Sequence, residues 1–136
     1  PNPEVQMSPE RRLELIEGTL EELNDEGKPV IVEGNKDEKS LRELGFDGEI
    51  IKVNKGISML TLCENISETH KNVIILTDKD RTGDALFTKL RRCLKANDVG
   101  YDTPYRNRIF SLAEGIKDVE SLSTFLKNLR MRVTQP

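Results

Sequence analysis

A chain of 136 residues is long enough for one domain with a hydrophobic core and too short for two domains of ordinary size. The formal net charge of −3 excludes a protein that coats nucleic acid through bulk positive charge, so such binding would need local patches. No apolar run approaches the roughly 20 residues of a membrane-spanning helix. We therefore expect a cytoplasmic protein that makes no contact with a membrane.

The first predicted element is a helix over residues 8–27. Ser8 offers an N-cap, Pro9 suits the first helical position, and apolar residues then recur at helical spacing. We expect residues 1–7 to be disordered or a processing remnant outside the fold. The main domain is predicted over residues 28–130, with a tail at 131–136.

Strand and helix patterns alternate through the main domain. The β-branched run Val30-Ile31-Val32 predicts a buried strand, and Val73-Ile74-Ile75-Leu76-Thr77 predicts the central one. This alternation indicates an α/β fold with an about four-stranded, largely parallel sheet and helices on both faces, preceded by the N-terminal helix. The other predicted elements are helices at 37–44, 57–67, 84–97 and 119–129, and strands at 49–53 and, more weakly, 108–110.

Acidic side chains follow two of these strands. Glu33 ends the first strand, and Asp78 and Asp80 follow the central one. Because the carboxyl ends of parallel strands meet at one edge of a sheet, these three residues are candidate ligands for Mg²⁺, with Mn²⁺ as a substitute. The alternative is a solvated turn with capping aspartates after an ordinary strand end.

Residues beside these carboxylates suit a phosphate-bearing ligand. Gly34 and Gly83 allow tight turns and a close approach of the backbone, and Arg81 could hold a phosphate with its guanidinium. Asp37 and Asp84 open the helices that follow and could support the metal ligands.

Two segments carry a resemblance to a known family. Val30-Ile-Val-Glu33-Gly34, with Asp37 three residues later, and Ile74-Ile-Leu-Thr-Asp78, with Asp80, Arg81, Gly83 and Asp84 after it, resemble the two hallmark motifs of the Toprim superfamily. This superfamily includes type IA topoisomerases, bacterial-type primases, recombination proteins and small ribosomal-RNA maturation nucleases. The chain looks most similar to its small, stand-alone, primase-like archaeal members, with a single Rossmann-like Toprim domain.

The resemblance implies roles for individual residues. Glu33 would act as general acid or base, while Asp78 and Asp80 would hold Mg²⁺. Asp84 stands where related families usually carry glutamate. The turn Asn54-Lys55-Gly56 resembles the glycine-containing loop near the metal, which makes Lys55 a candidate phosphate contact; a solvated loop lysine is the alternative.

The leading functional hypothesis is a Mg²⁺-dependent nuclease that cleaves structured RNA, or DNA. The alternative is a non-catalytic, Mg²⁺-dependent RNA-binding subunit of a larger RNA-processing assembly. A phosphatase of the haloacid dehalogenase type and a phospho-acceptor receiver domain fit the motif positions less well. The sequence gives no oligomeric state. A basic group on the 84–97 helix could form a nucleic-acid face or an ordinary solvated surface: Lys89, Arg91, Arg92 and Lys95.

Overall fold

The structure, a computed structural model, describes residues 6–53 and 56–135. The described residues form a four-stranded, all-parallel sheet in the order β2-β1-β3-β4, with helices on both faces. The predicted α/β fold and its N-terminal helix are confirmed. The elements are α1 (Pro9–Asp25), β1 (Val30–Val32), α2 (Asn35–Glu43), β2 (Ile50–Lys52), α3 (Met59–Thr69), β3 (Asn72–Ile75), α4 (Arg81–Ala96), β4 (Gly100–Asp102), α5 (Pro104–Leu112), a 3₁₀ turn (Val119–Ser121) and α6 (Leu122–Thr134).

Strands β1 and β3 form the centre of the sheet. Val30 pairs with Ile50 on one side and with Ile74 on the other, so β1 is hydrogen-bonded along both edges. All three residues of β1 are fully buried, as expected for a strand covered by helices on both faces. The carboxyl ends of β1 and β3 therefore lie side by side at one rim of the sheet.

Alternate residues of these strands enter two different cores. Ile31, Val73 and Ile75 pack with residues of α3 and α4 on one face. Val30, Val32, Ile74 and Leu76 pack on the other face against α1, α2, α5 and the 3₁₀ turn. A third apolar cluster joins α1 to α6 through Ile16, Leu126 and Leu129.

The strand predicted at residues 108–110 is wrong. Arg108, Ile109 and Phe110 lie in helix α5, and the fourth strand is Gly100–Asp102. Pro104 stands at the start of α5, where its fixed φ favours a helix, and Tyr105 and Ile109 are buried at helical spacing. The short run Ile109-Phe110, β-branched and aromatic, is a weaker signal for secondary structure than the helix start at Pro104.

Other predicted boundaries differ by a few residues. Helix α6 continues to Thr134, beyond the predicted end of the last helix at residue 129. Helices α2 and α4 begin at Asn35 and Arg81, earlier than predicted. The predicted N-terminal remnant falls largely outside the described residues. Within the described part of the chain, no helix has the length and apolarity needed to cross a membrane.

Candidate active site

The rim where β1 and β3 end brings together two of the predicted site residues. Glu33 directly follows β1, and Asp78 lies three residues beyond the end of β3. The Glu33 carboxylate, through Oε2, accepts a hydrogen bond of 2.9 Å from the backbone N–H of Asp78, across 45 sequence positions. The parallel pairing of β1 with β3 places these residues side by side.

Asp78 lies in an acidic and partly buried environment. Its Oδ1 accepts a 2.9 Å hydrogen bond from the backbone N–H of Val119. Burial raises the pKa of Asp78 to about 7, and repulsion from Glu33, Asp37 and Asp80 contributes to this rise, whereas the Val119 bond opposes it. Three other carboxyl groups are thus close enough to Asp78 to raise its pKa.

Two of these carboxylates also cap helices. Asp80 is the N-cap of α4, and its Oδ1 accepts a 2.7 Å hydrogen bond from the backbone N–H of Gly83. Asp37 is buried and accepts a 3.0 Å bond from the N–H of Gly34. Burial raises the pKa of Asp37. The capping alternative for Asp80 therefore accounts for Oδ1, and within residues 6–53 and 56–135 Oδ2 accepts no backbone N–H.

The donor set suits a hard cation, although the side chains do not converge on one point. Among residues 6–53 and 56–135, no group of three His, Cys, Asp or Glu side chains is arranged to hold a metal ion. Glu33, Asp78 and Asp80 each use one oxygen to accept a backbone N–H, which leaves the second oxygen for a ligand. Mg²⁺ needs only one or two carboxylates because waters and substrate oxygens complete its coordination. The residues present therefore fit Mg²⁺ in type and number.

The two glycines at the site differ in what a side chain would meet. A Cβ on Gly83 would lie 1.9 Å from the carbonyl oxygen of Asp78 and 2.6 Å from its carbonyl carbon. A Cβ on Gly34 would meet nothing within 4 Å. Gly83 is therefore required by the close passage of the Asp78 backbone over the first turn of α4. The buried Thr77 hydroxyl strengthens this packing by donating to the Gly83 carbonyl at 2.9 Å.

Arg106 in α5 is a site residue that the sequence analysis missed. It is only 3% exposed, and its Nε donates to the Thr77 carbonyl at 2.9 Å. Its Nη2 donates to the Asp78 carbonyl and to Asp84 Oδ1, the latter at 2.7 Å. This guanidinium ties the chain leaving β3 to the first turn of α4. One arginine among 21 basic residues carries no sequence signal for such burial.

The segment before α6 is a second part of the site that the sequence analysis missed. Val119 donates to Asp78, and the Lys117 carbonyl accepts a 2.7 Å hydrogen bond from the backbone N–H of Lys79. Asp118 and Glu120 also lie close enough to Asp37 to help raise its pKa. No motif linked this segment to the carboxylates, because its contacts depend on the tertiary fold.

The remaining predicted residues occupy varied positions. Asp84 Oδ1 forms an ion pair with Arg106, and this oxygen does not face the other carboxylates. Arg81 is exposed and has no ion-pair partner within the described residues. Gly56 is exposed, whereas Asn54 and Lys55 lie outside the described residues. The predicted basic face is exposed throughout: Lys89, Arg91, Arg92 and Lys95.

Comparisons with known proteins agree with the motif resemblance. The family model described as Toprim domain matches residues 28–112. A UPF0292 protein of Methanosarcina barkeri is 36% identical over 90% of this chain and 87% of its own length. A UPF0292 protein of Pyrococcus abyssi is 38% identical over 88% of this chain and 87% of its own.

A solved structure of a protein from Aquifex aeolicus has the same fold. It superposes with a TM-score of 0.67, covering 76% of this chain and 94% of the other, at 22% identity. The predicted resemblance to the Toprim superfamily and to small archaeal proteins is confirmed by these findings. Toprim domains generally bind divalent metal ions, typically Mg²⁺, and act in metal-dependent processing of nucleic acids.

Proposed function

The chain belongs to the Toprim family, and from that premise we propose that it is a Mg²⁺-dependent nuclease that cleaves phosphodiester bonds in structured RNA. The observation that carries the proposal is the hydrogen bond between Glu33 and the Asp78 N–H. It places a carboxylate beside the Asp78-Lys79-Asp80 turn at the rim where parallel sheets commonly bind ligands. DNA is the second substrate that this chemistry would accept.

In this proposal, Asp78 and Asp80 would hold Mg²⁺, each with the oxygen that does not accept a backbone N–H. When bound, the metal neutralises charge on the phosphate oxygens and polarises the phosphorus. The remaining oxygen of Glu33 moves a proton to or from the attacking or leaving oxygen. The bond from Asp78 N–H fixes the orientation of the Glu33 carboxylate.

Cationic residues near this rim would position the substrate. The exposed Arg81 guanidinium, at the start of α4, would donate to a phosphate beside the carboxylates. Lys55, which lies outside the described residues, remains a proposed second phosphate contact. Arg106 acts on Asp78 through its backbone carbonyl and is therefore a positioning residue.

The second candidate is a non-catalytic, Mg²⁺-dependent RNA-binding subunit of a larger RNA-processing assembly. A protein of this kind would bind RNA and metal without cutting the chain.

Cleavage of labelled RNAs and DNAs with Mg²⁺, Mn²⁺ or EDTA distinguishes the two candidates. The substrates should include hairpins and duplexes, and the variants should be Glu33→Gln and Asp78→Asn, with Asp47→Asn as a matched control. Asp47 is exposed and lies away from the rim carboxylates. The nuclease proposal expects metal-dependent cutting that both site variants lose and the control keeps. Binding without cutting by the native protein would favour the accessory role.

A further inference from the structure

Helix α4 carries an excess of positive charge. It contains five basic residues and one acidic residue, Asp84, which pairs with Arg106. Several basic side chains outside α4 lie beside acidic ones, as in Arg108 with Glu22. Within the part of the chain that the structure describes, no ion pair neutralises the basic residues of α4. A protein of net charge −3 thus presents one locally cationic helix, with Arg81, Lys89, Arg91, Arg92 and Lys95.

One of these cations lies over two aromatic rings. The Arg91 guanidinium carbon lies 5.6 Å from the centre of the Phe87 ring and 5.7 Å from the centre of the Tyr101 ring. Arg91 Nε also lies 3.4 Å from the Tyr101 hydroxyl, to which it donates. Both rings are half-buried, whereas Arg91 is exposed. We call Phe87, Arg91 and Tyr101 the Arg91 platform.

Contacts with the two rings and the Tyr101 hydroxyl position the Arg91 side chain. Cation–π contacts restrict a side chain that otherwise loses much rotamer entropy on binding. A guanidinium is planar, and its outer face can stack on a nucleic-acid base while its N–H groups bind phosphate. Arg92, next in sequence, has no ring contact among the described residues. The platform therefore offers more than the point charge that a surface cation provides.

The platform is connected to the carboxylates through packed side chains. Phe87 also lies beneath the guanidinium of Arg106, 4.7 Å from ring centre to guanidinium carbon. Arg106 in turn donates to the Asp78 carbonyl. Arg91 lies ten positions after Arg81 in α4, which corresponds to about 15 Å along the helix. At about 3.4 Å per stacked nucleotide, this separation equals roughly four or five nucleotides.

We propose that the Arg91 platform binds an unpaired segment of the nucleic acid, with a base stacked on Arg91 and the neighbouring phosphates along the cationic side of α4. This inference rests on the proposed function, because it names the part of the substrate held beside the scissile phosphate. In a duplex the base faces are covered by their neighbours, so a stacking surface has no duplex ligand. The substrate is therefore a nucleic acid with unpaired nucleotides about four or five positions from the phosphate that Arg81 contacts.

Binding in EDTA tests the platform without requiring metal or cleavage. Fluorescence anisotropy would compare a labelled single-stranded RNA of about 12 nucleotides, the DNA of the same sequence and the matching RNA duplex. Arg91→Lys keeps the charge and removes the planar surface. Arg92→Lys is the matched exchange on the same helix without a ring contact, and Arg132→Lys on α6 is the control, since Arg132 is exposed and outside the site.

The inference expects Arg91→Lys to weaken single-strand binding on the order of tenfold, since stacking on one base contributes this much affinity. Arg92→Lys should lose far less, Arg132→Lys should match the native protein, and duplex binding should change little in all three. Equal losses in Arg91→Lys and Arg92→Lys, or tighter native binding to the duplex, would overturn it. Equal binding of RNA and DNA strands would assign recognition to bases and phosphates, and a preference for RNA would add contacts to the 2′-hydroxyl.

Base stacking on the Arg91 platform and nuclease activity can be refuted independently. Single-strand binding that depends on Arg91, in a protein that cuts nothing with Mg²⁺, would retain the platform and refute the nuclease. Metal-dependent cutting with equal binding by Arg91→Lys and Arg92→Lys would retain the nuclease and refute the platform.

Discussion

Replacing Gly83 by alanine should disable the site without unfolding the domain. A Cβ at this position would lie 1.9 Å from the Asp78 carbonyl oxygen, whereas real Cβ contacts stay beyond 3.0 Å. The Asp78 backbone or the first turn of α4 must therefore move by about 1.1 Å, the difference between these distances. The neighbouring atom is backbone and cannot rotate away. We expect overpacking to lower the free energy of unfolding by about 1–3 kcal/mol.

The same shift displaces Asp78 from Glu33 and Asp80. A misplacement of about 1 Å in a catalytic constellation can reduce the rate by about a hundredfold. Cleavage rate, Mn²⁺ affinity and urea unfolding should be measured together for Gly83→Ala. Gly18→Ala on α1 is the control, because a Cβ there meets nothing within 4 Å and alanine favours the helix. Native affinity and rate in Gly83→Ala would refute the reasoning.

Three further predictions concern stability. Burial raises the pKa of Asp78 to about 7, so folding favours its protonated form, and stability without metal should fall as pH rises from about 4 to about 7. Asp78→Asn should remove this part of the pH dependence in urea unfolding; an unchanged slope would contradict it. Arg106→Gln should lower the free energy of unfolding by about 2–4 kcal/mol, because the Thr77 and Asp78 carbonyls lose their donor. Urea unfolding of that variant should therefore show a lower midpoint, and an unchanged midpoint would count against the role of Arg106. Ser8→Ala should cost about 1 kcal/mol by removing the α1 cap, whereas Ser8→Thr should keep most of it in thermal unfolding; equal losses would exclude a capping role.

The sequence was sufficient to predict the centre of the fold. Val30-Ile31-Val32 and Val73-Ile74-Ile75 are continuous β-branched runs, and such runs identify strands that helices cover on both faces. The parallel arrangement then predicted that Glu33 and Asp78 would lie at one rim, where the structure places them.

The edge of the sheet was harder to predict because its signals are weak. Strand β4 has three half-buried residues, including Tyr101, and its pattern does not alternate. The run Arg108-Ile109-Phe110 has high strand propensity, but Pro104 and the buried face of α5 determine a helix. Tertiary packing overrides local propensity at such positions.

Long-range contacts to the site were not accessible from local patterns. Val119 reaches Asp78 across 41 positions and Arg106 reaches it across 28, through a backbone N–H in one case and a backbone carbonyl in the other. In each contact one partner contributes a backbone group, so the side chain at that position gives no sequence signal. The carboxylates could therefore be predicted, whereas the groups that orient them could not.

Mn²⁺ binding, followed by electron paramagnetic resonance, tests the proposed metal site most directly. Native protein would be compared with Asp78→Asn, Asp80→Asn and the exposed control Asp47→Asn, with folding checked by circular dichroism. We predict that the native protein and Asp47→Asn bind Mn²⁺, that Mg²⁺ displaces it, and that both site variants lose the binding. Undiminished binding in folded Asp78→Asn and Asp80→Asn, or no binding by the native protein, would contradict the assignment of this rim as the metal site.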